Sequence, residues 1–165
     1  MSTDRIIHAM TKLNKLHRSL NELAIQKSDI VKAGDMEALN RMLQEEQKHV
    51  KAIETVEKER VVAATEFLES KGQHSIEPTV SNCLLYMDES TQHLLEVLKN
   101  QLLDEISSLK EWNELNQQLI YQSLQFVNVT LDMLRPQPVQ NLNYERPQHM
   151  KANSNGFKGS FDSKA

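Results

Sequence analysis

The apolar residues of this chain fall at helical spacing along three long segments separated by two short breaks. Ile6, Ala9, Leu13, Leu16, Leu20, Leu23, Lys27 and Ile30 alternate steps of three and four, and all but Lys27 are apolar. That is the seam of a coiled-coil-like helix. Ser2 or Thr3 can cap its start, with Asp4 favourable in the first turn. The helix is expected to end at Ala33. Gly34 can take the left-handed conformation that closes a helix, and Asp35 can cap the next one. So short a connection makes the first two helices antiparallel neighbours.

A second helix is predicted from Met36 to Glu69, with apolar positions Leu39, Leu43, Val50, Ile53, Val61, Ala64 and Leu68. Glu46, Glu57 and Arg60 fall on or near this stripe and read as long side chains lying along the edge of a narrow seam. The polar run from Ser70 to Pro78 breaks the pattern. A short helical piece follows, using Ile76, Val80, Leu84 and Met87. Asp88, Glu89, Ser90 and Thr91 suit either the cap of a new helix or the interior of a continuous one.

The last helix is predicted from Asp88 to Leu134. At ~100° per residue, Leu95, Leu98, Leu102, Ile106, Leu109, Trp112, Ile120, Leu124, Val127, Leu131 and Leu134 share one face, with Asn116 in its middle. Steps of four around Asn116 break a strict heptad, as a straight helix requires. A second lane, Leu115, Leu119, Phe126 and Met133, runs beside the first. Together they exceed the roughly 100° stripe of a helix packed on one side only. Burial on two sides within the bundle would use that width, and so would a partner. Length bears on the choice. A first helix of about 30 residues spans ~45 Å, against ~70 Å for about 47 residues in the last. The final four or five turns should therefore overshoot the bundle, and the half before Trp112 belongs to the chain's own core.

Composition agrees with a slender all-α bundle. Four Gly and four Pro are few among 165 residues, and most of them lie after Arg135. Residues 1–134 read as one helical domain and 135–165 as a disordered tail, too polar to offset ordering entropy. Net charge is −4 with both signs interspersed, so a nucleic-acid reader is not expected. Cys83 is the one cysteine, which excludes a disulfide framework within one chain. The N-terminus lacks the apolar core of a signal peptide, and no run approaches the ~20 residues that span a bilayer. The expectation is a cytoplasmic protein without membrane insertion.

Little catalytic chemistry is legible. Glu46-Gln47-Lys48-His49 has the Glu-x-x-His spacing of di-iron bundles, but those need a second such motif and two further Glu. Cys83 has no recognisable base, and no Gly-rich phosphate loop exists. No catalytic residue, metal or cofactor is expected, and the chain reads as no enzyme. Trp112 reads as a core anchor and Asn116 as a register-setting or water-bonded core residue.

The run Asn116-Gln117-Gln118-Leu119-Ile120-Tyr121-Gln122-Ser123-Leu124-Gln125-Phe126-Val127-Asn128, with Leu131-Asp132-Met133-Leu134 after it, resembles the FlgN family in its Bacillus-type branch. The Lys32-Ala33-Gly34-Asp35 break and the ending Leu134-Arg135-Pro136, with Tyr144 in a polar tail, are also similar. The resemblance implies a cytoplasmic flagellar type III export chaperone. It would bind the C-terminal helical ends of the hook-associated proteins FlgK and FlgL, prevent their premature assembly and deliver them to the export gate. The implied client-binding residues are Leu115, Leu119, Ile120, Leu124, Phe126, Val127, Leu131, Met133 and Leu134, and Tyr144 matches a gate-contacting aromatic. The competing expectation is a structural coiled-coil protein that self-associates, as a homodimer for example, through the same face.

Overall fold

A computed structural model describes residues 2–135; residues 136–165, the segment read as a tail apart from Arg135 and with Tyr144 in it, lie outside them. Four helices follow in order: α1 (Ser2–Ala33), α2 (Met36–Ser70), α3 (Val80–Leu84) and α4 (Glu89–Leu134). No strand occurs among the described residues. The breaks are built by the residues that suit them. Gly34 adopts φ 69°, and the Asp35 carboxylate accepts the Ala38 amide. Gly72, at φ 75°, closes the turn after α2. Thr79 caps α3 through the Asn82 amide, and Asp88 caps α4 through the Thr91 amide. α3 and α4 are thus separate helices. The Asp88 carboxylate also accepts the Ser90 and Thr91 hydroxyls, and these hydrogen bonds, Ser90 first, hold it at about 2.

α1 is the central helix, packing on α2 along one side and on α4 along another. The α1–α2 seam is antiparallel: Lys27 reaches Glu46, Ser19 meets His49, Lys12 pairs with Glu59 and Arg5 with Glu66. The α1–α4 seam is parallel. Asn14 Nδ2 donates to the Leu98 carbonyl at 2.9 Å and Asn21 Nδ2 to the Glu105 carbonyl at 2.8 Å, each 84 residues along the chain. Farther up, Asn116 Nδ2 donates back to the Ala24 carbonyl at 2.7 Å. The three Oδ1 atoms are buried without a protein partner.

The apolar core is concentrated at one end of the bundle. Ile6, Met10 and Leu13 of α1 meet Ala64, Phe67 and Leu68 of α2, with Cys83 and Leu84 of α3 as a plug and Leu95 of α4 closing the side. Toward the other end polar residues join the buried positions, with Asn21, Lys27, Ser28 and Asn116 among Leu20, Ala24, Val31 and Met42.

Three expectations are corrected. The α2 stripe does not run through Leu43 and Val50, which are exposed, and Leu39 is only half-buried. The seam instead follows Met42, Glu46, His49, Ile53, Val56, Arg60, Ala63 and Phe67, in steps of four and three. Glu46 and Arg60 do more than lie along its edge. Glu46 ion-pairs with Lys27 at 2.7 Å, while Arg60 forms two bonds to Glu57 and one to the Pro78 carbonyl. Third, α4 before Trp112 is only partly core: Leu95 is buried, Leu98, Leu102 and Leu109 are half-buried and Ile106 is exposed. The reason is that α2 and α4 never approach each other closely, so α4 has α1 alone as its packing partner along most of its length.

Candidate functional site

The parallel register of α1 and α4 decides where α4 runs out of cover. α1 ends at Ala33, and Ile120 is the last residue of α4 with any substantial burial. Every residue from Tyr121 to Leu134 is exposed. That leaves about 14 residues, or ~21 Å, projecting beyond the bundle as a single helix. The overshoot expected from helix lengths is therefore present, at about four turns.

The implied client-binding residues divide at this boundary. Leu119 and Ile120 are half-buried at the rim, and Leu115 sits just below on the bundle with part of its surface open. Leu124, Val127, Leu131 and Leu134 form one bare lane, while Phe126 (74% exposed) and Met133 (80% exposed) form a second lane beside it. Between the lanes lie Ser123 and Thr130. Their hydroxyls donate to the helix's own Leu119 and Phe126 carbonyls, at 2.8 and 2.9 Å. Half of the projecting helix can thus be covered by an apolar partner without orphaning a side-chain donor.

The same face continues into the bundle as the wall of a groove. Because α2 and α4 stand apart on α1, an open trough runs between them. Met10 and Leu13 line one stretch of it, between Ile53 of α2 and Leu102 and Ile106 of α4. Farther along, Leu20 lies between Val50 of α2 and Leu109, Asn116 and Ile120 of α4. At ~100° per residue Leu102, Ile106, Leu109, Ile120, Leu124, Val127 and Leu131 share one azimuth, so trough wall and bare lane are one surface.

Two features escaped the apolar lanes. Tyr121 is exposed on the opposite side of the projecting helix, and Val129 is exposed beside Phe126 and Met133. The trough depends on α2 and α4 standing apart, for which the sequence carries no local signal.

The other candidates are engaged elsewhere. His49 bonds the Ser19 hydroxyl and the Glu45 carbonyl, while Glu46 is held by Lys27. No group of three or more His, Cys, Asp or Glu side chains is placed to hold a metal among the described residues. Cys83 is fully buried, and burial pushes its thiol up against a smaller opposing pull from Arg60. No helix among the described residues is long and apolar enough to cross a membrane.

The family model described as FlgN protein matches residues 1–152. A relative from Bacillus subtilis (strain 168), "Uncharacterized protein YvyG", is 33% identical over 165 residues, covering 100% of both chains. No solved structure matches the chain.

Proposed function

The chain belongs to the FlgN family of flagellar export chaperones, and on that premise we propose that it serves the hook-associated proteins FlgK and FlgL in the cytoplasm. It would hold their C-terminal helical ends, prevent early assembly and deliver them to the export gate. The observation that carries this reading is the projecting end of α4, an apolar surface continuous with a trough and covered by nothing among the described residues. A client with an amphipathic helical end would dock by the helix-in-groove mode. Burying about seven side chains at ~1.5–3 kcal/mol each supplies roughly 10–20 kcal/mol gross. Association and ordering take back ~4–15 kcal/mol. The remainder suits a complex that forms tightly enough to protect and loosely enough to be handed over. In this reading residues 1–134 are the chaperone unit, and 135–165 form a tail whose Tyr144 meets the gate.

The test is a pull-down with FlgK-like and FlgL-like C-terminal segments. Leu124→Asp or Val127→Asp should abolish capture while circular dichroism and melting stay as in the wild type, since neither position is covered by the bundle. Ile120→Asp should do the same, although its rim position puts some folding stability at stake. Wild-type capture by a folded Leu124→Asp chain would refute the reading, as would a tight dimer in sedimentation that hides Leu124 and Phe126. Deleting 135–165 should spare capture and stop export.

A further inference from the structure

The outward face of α4 changes character where the helix leaves the bundle. Along the bundle that face carries Glu89, Glu96, Asp104, Lys110, Glu111 and Glu114. Beyond it the same azimuth carries Gln118, Tyr121, Gln122, Gln125 and Asn128, all exposed. No Asp, Glu, Lys or Arg stands between Glu114 and Asp132. A helix that is bare on every side has the greatest need of charge to stay in water, yet here charge disappears.

The physical contrast between the two side-chain classes explains the switch. Burying a charge costs several kcal/mol unless it is paired well. An amide both donates and accepts, so a partner can satisfy it with neutral groups. Depletion of charge, with an aromatic such as Tyr121 present, is the composition of a covered interface core.

We propose that the projecting end of α4 is enclosed by its client, which covers the amide face as well as the apolar lanes. The client therefore contributes helical segments to both sides of α4. This rests on the client-binding reading above and specifies its geometry. Two other occupants fit less well. In any closed symmetric assembly of copies of α4 each copy keeps an outward side, so self-association leaves the amide face in water. A lipid surface calls for Lys and Arg on the polar face, and this one has neither.

The experiment is a calorimetric titration of the full chain with a FlgK-like or FlgL-like client. Gln125→Glu adds charge with little change of shape, and Tyr121→Lys places a cation opposite the apolar lanes. Each should weaken binding roughly tenfold or more, about 1.4 kcal/mol per decade, because the partner would have to desolvate the new charge. Ser107→Glu, on the same face within the bundle, should bind like the wild type. If Gln125→Glu and Tyr121→Lys both bind like the wild type while Leu124→Asp does not, docking is one-sided and the enclosure is wrong. If Leu124→Asp also binds normally, the client reading falls with it. Binding to phosphatidylglycerol vesicles that Tyr121→Lys strengthens would assign the face to a lipid surface and overturn the proposal.

Discussion

Replacing Asn116 by Leu tests what the polar seam between α1 and α4 contributes. The side chain is 1% exposed, and its Nδ2 donates to the Ala24 carbonyl at 2.7 Å. That bond contributes ~0.5–1.5 kcal/mol net. Its Oδ1 is buried without a protein partner, which costs ~1–3 kcal/mol. Leu has nearly the same branched shape, loses the bond, relieves the orphaned acceptor and adds apolar surface. The balance favours Leu, and the variant should be more stable by about 1–2 kcal/mol. Asn116→Asp has the same outline and the opposite outcome. It sets an anion against the Ala24 carbonyl and should cost several kcal/mol. Burial raises that carboxyl in the folded state, so the penalty grows as pH rises from the unfolded value of ~4 toward the folded one and is relieved in acid. Urea titration followed by circular dichroism and by the fluorescence of Trp112, the chain's one tryptophan, reads both. A loss of more than ~1 kcal/mol in Asn116→Leu, with an unchanged urea dependence, would refute the balance and show that the amide outweighs its orphaned oxygen. Stabilisation would mean that the amide is retained for register. Asn14, Asn21 and Asn116 lock α4 against sliding along α1, and the register of these helices sets how much of α4 projects.

Two further outcomes follow from the titrating groups. The Asp88 carboxyl, held at about 2, should support α4 fully above the unfolded value of ~3.9 and lose that support as pH falls toward 2. Asp88→Asn keeps a capping oxygen without the charge, so the acid-dependent difference between it and the wild type in a melting series should be confined to that window. A difference unchanged from pH 7 to pH 2 would contradict it. Cys83, fully buried with its thiol pushed up, should react with Ellman's reagent at pH 8 only through opening of the fold. Labelling in the native chain should be about a hundredfold slower than in urea, because stable cores open rarely. Equal rates would mean that the α3 plug is open.

The helices themselves were determined by the sequence, because their punctuation is local. Gly34 and Asp35 end one helix and start the next, while Thr79 and Asp88 cap α3 and α4 through hydrogen bonds to residues three positions on. The projection was legible too, since it follows from one helix being longer than its neighbour. The tertiary structure decided the fate of polar residues at seam positions. Glu46 on α2 reads as a side chain at the edge of the seam, and Asn14 and Asn21 on α1 carry no signal in the apolar pattern, because their partners Lys27, Leu98 and Glu105 lie 19 or 84 residues away. An apolar-only pattern therefore displaced the α2 stripe and overlooked the face of α1 that receives α4. It also could not tell that α2 and α4 sit apart on α1, because hydrophobic periodicity gives each helix a buried azimuth without giving the angle between two neighbours on a third. That angle opens the trough that runs into the projecting end of α4.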